Sequence, residues 1–291
     1  MCDVLAAVAP AYCVREYLKN GVRADGRVAE ELRHVKLVPK VLPETCGLVA
    51  SCIAQLGSTK FLVSCRAKIL DDVSAPVVSV SAEFPASCGG RKTNAEKDWL
   101  CQQTEQVLTS AEIVDRSVGL VGAKHAWQLQ FHAICLEYNG NPLDVCFLGI
   151  AACLLTGSVP SVAFVESTQS WEESAQPRAS EFQKGVPLRA FLRHPESPPL
   201  ASTFAVFPDG PAWVSDPSDL EERVTDGLSI INGTPDEWSL VTVGVSNLRQ
   251  EDCLSLIQRS SMHISSLRKS LEDTADNAPE RTSHIDLCKN L

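Results

Sequence analysis

The stretch HAWQLQFHAICLEYNGNPLDVCFLGIAACLLTG, residues 125–157, changes its hydrophobic period halfway along. In the first half Trp127, Leu129, Phe131, Ala133 and Cys135 alternate with Gln128, Gln130 and His132, the two-residue repeat of a strand with one buried face. Asn139-Gly140 is a turn dipeptide. From Leu143 to Thr156 the chain is apolar nearly all round, with Val145, Phe147, Leu148, Ile150, Leu154 and Leu155, so the pattern predicts a buried helix that Gly157 ends.

Upstream, Pro10–Asn20 reads as a short helix with Val14, Tyr17 and Leu18 on one face, and Leu32–Val41 alternates as a strand would. Gly47–Gln55 and Lys60–Lys68 flank the short connection Leu56–Thr59 and predict a hairpin. Residues 71–98 look irregular, broken by Pro76, Pro85, Gly89 and Gly90. A helix over Ala95–Val114 follows, with Asn94 as its N-cap. Downstream, Glu166–Gly185 is rich in Ser, Gln and Glu and reads as a linker or insertion. Then come strands at Ala201–Phe207 and Ala212–Ser215, a short helix at Leu220–Val224, a hairpin of Leu228–Asn232 with Ser239–Val243, and a helix at Arg249–Leu271. Thr274–Leu291 is polar and reads as a frayed tail. Helices mixed with several hairpins indicate an α+β fold.

The chain has 291 residues, enough for one large or two small domains, and 44% are hydrophobic. Its formal net charge of −10 argues against an autonomous nucleic-acid-binding domain and leaves room only for a local basic element. The 12 cysteines include no CxxC pair and mostly sit inside apolar runs, as free thiols in a reducing compartment do. No His/Cys cluster suggests zinc, and no run is apolar for the roughly 18 residues a bilayer needs, so neither metal nor membrane is expected. Met1–Pro10 lacks the basic region and cleavage site of a signal peptide. GxSxG, Walker and GxGxxG motifs are absent, and His132, on the polar side of its strand, reads as structural.

Four stretches carry a resemblance. RADGR at 23–27 resembles the RPDGR signature of RNase PH-like proteins, with Ala24 in place of proline. LEYNGNPLD at 136–144 looks like the family's strand-turn-helix in the form used by exosome ring subunits. Leu200–Asp209 with Val214–Pro217 is similar to the strand pair opening the family's second domain, and Glu221-Glu222 with Asp226–Ile230 to the segment that follows it. Together they run in the family's order over Ala11 to Leu271.

The resemblance implies an RNase PH-like fold. A first domain of the ribosomal protein S5 domain 2 type (22–165) would follow an N-terminal helix (1–21). The insertion (166–185), a second mixed α/β domain (186–272) and a tail (273–291) would come after. It also implies partners: other RNase PH-like chains in a hetero-hexameric ring, S1 and KH cap proteins, an associated exonuclease and single-stranded RNA in the channel. The setting would be 3′-to-5′ RNA processing and degradation, including ribosomal RNA maturation, in nucleus, nucleolus and cytoplasm, without a cofactor.

Phosphorolysis needs an arginine clamp for phosphate and a carboxylate for a metal or proton. Active family members carry an Arg pair at the start of the first long helix and an Asp in the turn after the long strand. The matching positions here are Lys97, Asp98 and Asn139. A lysine lacks the planar fork, Asp98 would repel phosphate, and Asn139 is neutral. The expectation is a structural, non-catalytic subunit; the alternative is a phosphorolytic 3′-to-5′ exoribonuclease. Arg66, Lys68, Arg91 and Lys92 lie nearest the loops that face RNA in the family and read either as RNA contacts or as solvated surface. Arg23, Asp25 and Arg27 read as an internally paired turn, with contact to a neighbouring subunit as the alternative, and Asp144 as a partner for the helix dipole rather than a mimic of a catalytic carboxylate.

Overall fold

A computed structural model describes residues 8–277 apart from 44–46, 75–76, 89–93, 111–112, 122–123, 166, 168–169, 174–184, 208–212, 226, 234–237 and 245–249. Helix α1 (Pro10–Lys19) precedes β1 (Val35–Pro39), β2 (Leu48–Leu56), β3 (Thr59–Leu70) and β4 (Val78–Glu83). After α2 (Asn94–Leu108), β5 (Ala126–Glu137) completes a sheet ordered β1-β2-β3-β5-β4. All its pairings are antiparallel except β4 with β5. The long strand and the hairpin are where their patterns predict them. The region read as irregular is corrected: Val78 and Val80 alternate with Ser79 and Ser81 between two prolines, a repeat too short to stand out in sequence. Pairing with β5 from Val78 opposite Leu129 to Glu83 opposite Ile134 makes it a strand.

Helix α3 (Pro142–Thr156) is buried on all sides from Leu143 to Leu154, as its composition requires. One side lies on Cys52, Ala54, Phe61, Val63 and Cys65 of β2 and β3, and Phe131, Ala133 and Cys135 of β5 extend the same core. Gly149 makes the close approach possible, since a Cβ there would stand 2.4 Å from Val63 Cγ2. The described cysteines are free, and burial pushes the Cys52 and Cys146 thiols up to about 12, so they behave as small hydrophobes.

The other side of α3 meets β10 (Leu200–Val206) and α5 (Gln250–Asp276). β10 lies in a second, antiparallel sheet ordered β11-β10-β12-β13, with β11 (Trp213–Ser215), β12 (Gly227–Gly233) and β13 (Trp238–Gly244). Helix α4 (Asp219–Glu222) opens on a capping box at Ser218 and Glu221. β6 (Ser158–Val159) pairs with β9 (Val186–Pro187), and β7 (Val162–Val165) pairs with β8 (Ser170–Glu173).

Further boundaries differ from the sequence reading. β8 is a strand inside the stretch read as a linker; residues 174–184 lie outside the described residues. Asn94 is the first residue of α2 rather than its cap, and α2 stops at Leu108, where Thr109 Oγ1 donates to the Glu105 carbonyl at 2.7 Å. α5 runs to Asp276 into the expected tail, since Leu271 is buried and anchors its last turns. The rest of that tail, 278–291, lies outside the described residues.

Candidate functional site

β5 delivers the turn Tyr138–Asn141 to the first residue of α3. Asn139 is tied down through three groups. Its backbone N–H donates to Thr59 Oγ1 at 3.1 Å, its Nδ2 donates to Ser58 Oγ at 2.9 Å, and its carbonyl accepts from Arg33 Nη1 at 2.6 Å. Gly140 has φ +82°, and a Cβ there would stand 2.4 Å from the Ser218 carbonyl carbon, so the turn passes directly beneath residues 217–219. Asn141, also left-handed at φ 55°, donates through Nδ2 to Asp144 Oδ2 at 2.8 Å and Asp216 Oδ1 at 2.7 Å. Tyr138 donates its hydroxyl to Glu222, whose other oxygen accepts the Asn141 backbone N–H at 2.8 Å.

Three arginines close over this joint. Arg23, 1% exposed, forks onto both oxygens of Glu221 at 2.8 and 2.6 Å and donates to the carbonyls of Ser215 and Asp216. Arg33 forks onto both oxygens of Asp216 at 2.8 and 2.6 Å. Arg27 bridges Asp25 at 2.8 Å and Asp216 at 3.2 Å. The RADGR turn is internally paired as expected, and it also reaches about 190 residues along the chain to Asp216 and Glu221, which the sequence reading did not foresee. Burial alone would raise the Asp216 carboxyl; the Arg33 fork, with help from Asn141 and Arg27, holds it below the usual carboxylate range.

Asp144 is more than a helix-dipole partner. It is fully buried and accepts the Thr203 backbone N–H at 3.0 Å and hydroxyl at 2.6 Å, which fastens the first turn of α3 to β10. Burial pushes its carboxyl up to about 6 against the pull of those donors and Asn141. With each guanidinium spent on carboxylates and carbonyls, the cluster holds the two sheets together and has no free fork with which to grip a phosphate. Asp144, Asp216 and Glu221 are named in the sequence motifs, but only the three-dimensional pairing with Arg23 and Arg33 gives them a role. Thr203 lies within the Leu200–Asp209 stretch but is not singled out there, and Arg33 lies outside the motifs.

The other sequence-singled residues divide between two places. Lys97, half-buried in the first turn of α2, donates to Asn94 Oδ1 at 3.4 Å, and Asp98 beside it is exposed. Arg91 and Lys92 lie outside the described residues. The Tyr138 N–H donates to the Cys88 carbonyl at 2.8 Å, which ties the chain just before them to the Asn139 end of β5. Arg66 and Lys68 stand at the opposite end of β3, exposed and level with Gln130 and Gln128. The structure therefore does not bring Arg66 and Lys68 together with Lys97 and Asn139. His132 contacts Ser81 Oγ at 2.8 Å and Glu83 at 3.6 Å on the open sheet face.

Residues 31–160, which contain the whole strand-turn-helix joint, match the 3′ exoribonuclease family, domain 1, of RNase PH. The fold is RNase PH-like. Curated proteins to which this chain is similar include exosome components. It is 25% identical to exosome complex component RRP45 of Danio rerio over 275 residues, 89% of this chain and 65% of that protein. It is 23% identical to component rrp43 of Schizosaccharomyces pombe (85% and 89% of the two chains) and 28% identical to component Rrp42 of Thermococcus kodakarensis (81% and 82%). The chain spans about half to two-thirds of the RRP45 proteins it matches. Its fold is that of the archaeal exosome core, with a TM-score of 0.71 at 22% identity over 93% of this chain and 98% of the other.

Proposed function

We propose that this chain is a structural, non-catalytic subunit of an exosome ring. It would pair there with other RNase PH-like chains under S1 and KH cap proteins, and RNA would be cut by an associated exonuclease. The observation that carries the reading is Asn139. A phosphorolytic site needs a carboxylate in this turn; the neutral amide here is engaged with Ser58, and the backbone is pinned by Thr59 and Arg33. Lys97 and Asp98 at the start of α2 supply neither the forked donors nor the net positive charge that phosphate requires.

The names of the relatives support the assembly, and the fold of an archaeal exosome core supports its geometry. Within the family we place the chain nearest exosome component eight, on Ile134–Tyr138 and Thr203–Phe207. We assign domain 1 to 22–165 and domain 2 to 186–272, and locate the protein in nucleus, nucleolus and cytoplasm. Arg66, Lys68, Arg91 and Lys92 are assigned to contact RNA. The test is a phosphorolysis assay with inorganic phosphate and short RNA, on the chain alone and with its ring partner. No nucleoside diphosphate is expected; release that depends on this chain would overturn the non-catalytic reading.

A further inference from the structure

Helix α5 runs for 27 residues with one side against α3, β1, β10 and β12. Leu256, Ser260, His263, Ile264, Leu267 and Leu271 form its buried face. Its two half-buried arginines, Arg259 and Arg268, are two and a half turns apart, so they leave opposite sides of the helix. Arg259 is satisfied within this chain: it meets Glu30 at 2.6 Å and lies over the Trp213 ring. His263, on the same side, contacts Ser202 Oγ at 3.2 Å. Arg268 is not satisfied. Its Nε and Nη2 are buried, and neither has a hydrogen-bond partner among the described residues. Burial lowers the pKa of its guanidinium, against partial support from Glu272 one turn on.

Leu254, Ile257, Ser261, Ile264, Arg268 and Leu271 fall at alternating three- and four-residue spacings, the a and d positions of a coiled-coil seam. Ile264 and Leu271 turn into the core, while Leu254 is 60% and Ile257 37% exposed, so the seam runs along the rim of the buried face. Ser261, exposed between them, is small enough for another backbone to come close. We infer that this seam docks an amphipathic helix of a partner protein, with aliphatic side chains over Leu254 and Ile257 and an Asp or Glu carboxylate on Arg268. Charge names the occupant, because buried guanidinium donors without an acceptor call for one, and a carboxylate fits the fork. From Ile257 to Arg268 the seam is about 16 Å long, three turns of a partner helix. A second copy of α5 laid parallel would set Arg268 against Arg268. The inference uses neither RNA nor the relatives, so it stands apart from the exosome-ring reading.

The experiment places the photocrosslinking residue p-benzoylphenylalanine at Ser261, and in a separate chain at Ser265, of the tagged full chain. The complex purified from its own cells is illuminated, and crosslinked peptides are read by mass spectrometry. They should come from one helix of a different protein that carries a carboxylate within two turns of the crosslink. A synthetic peptide of that helix should bind the full chain. Arg268→Ala should weaken it about 30-fold or more, the lower end of the loss for one partner of a buried charge pair. Arg268→Glu should abolish binding, and exchanging the peptide carboxylate for Arg should restore it. Ile257→Asp should also lose the peptide. The melting temperature of the Arg268→Ala chain should stay the same or rise, because no bond within the chain is lost; an arginine with a purely structural role would lower it. Crosslinks confined to this chain, to α5 of a second copy or to a helix without a carboxylate would overturn the proposal. So would peptide binding that ignores Arg268, or no crosslinked helix from either position.

Discussion

The joint around Asn139–Asp144 and the outer face around Arg66 and Lys68 both hold conspicuous cations, and they use them in opposite ways. At the joint, Arg23, Arg27 and Arg33 are buried and saturated by Glu221, Asp216, Asp25 and backbone carbonyls. On the outer face, two cations stand exposed beside neutral amides. Charges withdrawn from water must be paired, and once paired they serve as fasteners. Charges left in water contribute little to stability and remain available to a ligand. In this chain the Asn139–Asn141 turn is part of the fastener, while Arg66 and Lys68 lie at the opposite end of β3.

The largest effects should therefore come from breaking the joint. Removing one partner of a buried, forked ion pair strands the other, at a cost of about 3–5 kcal/mol. Arg23→Ala or Asp216→Ala should lower the urea midpoint sharply or abolish soluble expression, and Arg23→Lys should fail to rescue because it cannot grip both Glu221 oxygens. Next comes the close contact that sets α3 on the sheet. Gly149→Ala places a methyl group 2.4 Å from Val63 Cγ2 and should cost about 1–3 kcal/mol. Val63→Ala in the same chain should recover part of that loss, visible as a rise in melting temperature over the single variant.

A third effect concerns pH. Asp144 has its carboxyl raised from an ordinary 3.8 to about 6 by burial, so the stability it lends is full below about 3.8 and is lost as pH rises through about 6. Asp216 is displaced downward, so its contribution is present above the ordinary carboxylate range and lost as pH falls below it. Urea titrations of Asp144→Asn should lack the fall in stability that the unaltered chain shows between pH 4 and 7, by roughly 2 kcal/mol, whatever the absolute stability of the variant. An identical slope in the two chains would contradict the assignment. The smallest effect belongs to the open face: Arg66→Gln/Lys68→Gln should shift stability by less than about 0.5 kcal/mol, read by the same melts, because neither cation is a fastener.

Sequence alone carried the period-two strand, the all-apolar helix, both hairpins and the RNase PH-like motifs, because each is a local pattern or a short signature. It also singled out Lys97, Asp98 and Asn139. It missed β4, whose alternation is short and framed by prolines. The clasp was hidden for a different reason: Arg23 and Glu221, or Arg33 and Asp216, are ordinary surface residues by type, and only tertiary pairing turns them into buried fasteners. Asp144 shows the same limit. Its place in the first turn of a helix suggests the dipole, while its actual partner Thr203 lies on a strand 59 residues away.

The proposal that this chain acts as part of a ring and not alone is open to direct test. Gentle purification of the tagged full chain from its own cells, with native mass and identification of what comes with it, tests that most directly. The account predicts a complex many times the 31.5 kDa of the chain, containing other RNase PH-like subunits with S1 or KH proteins. A lone 31.5 kDa species with no such proteins would contradict it.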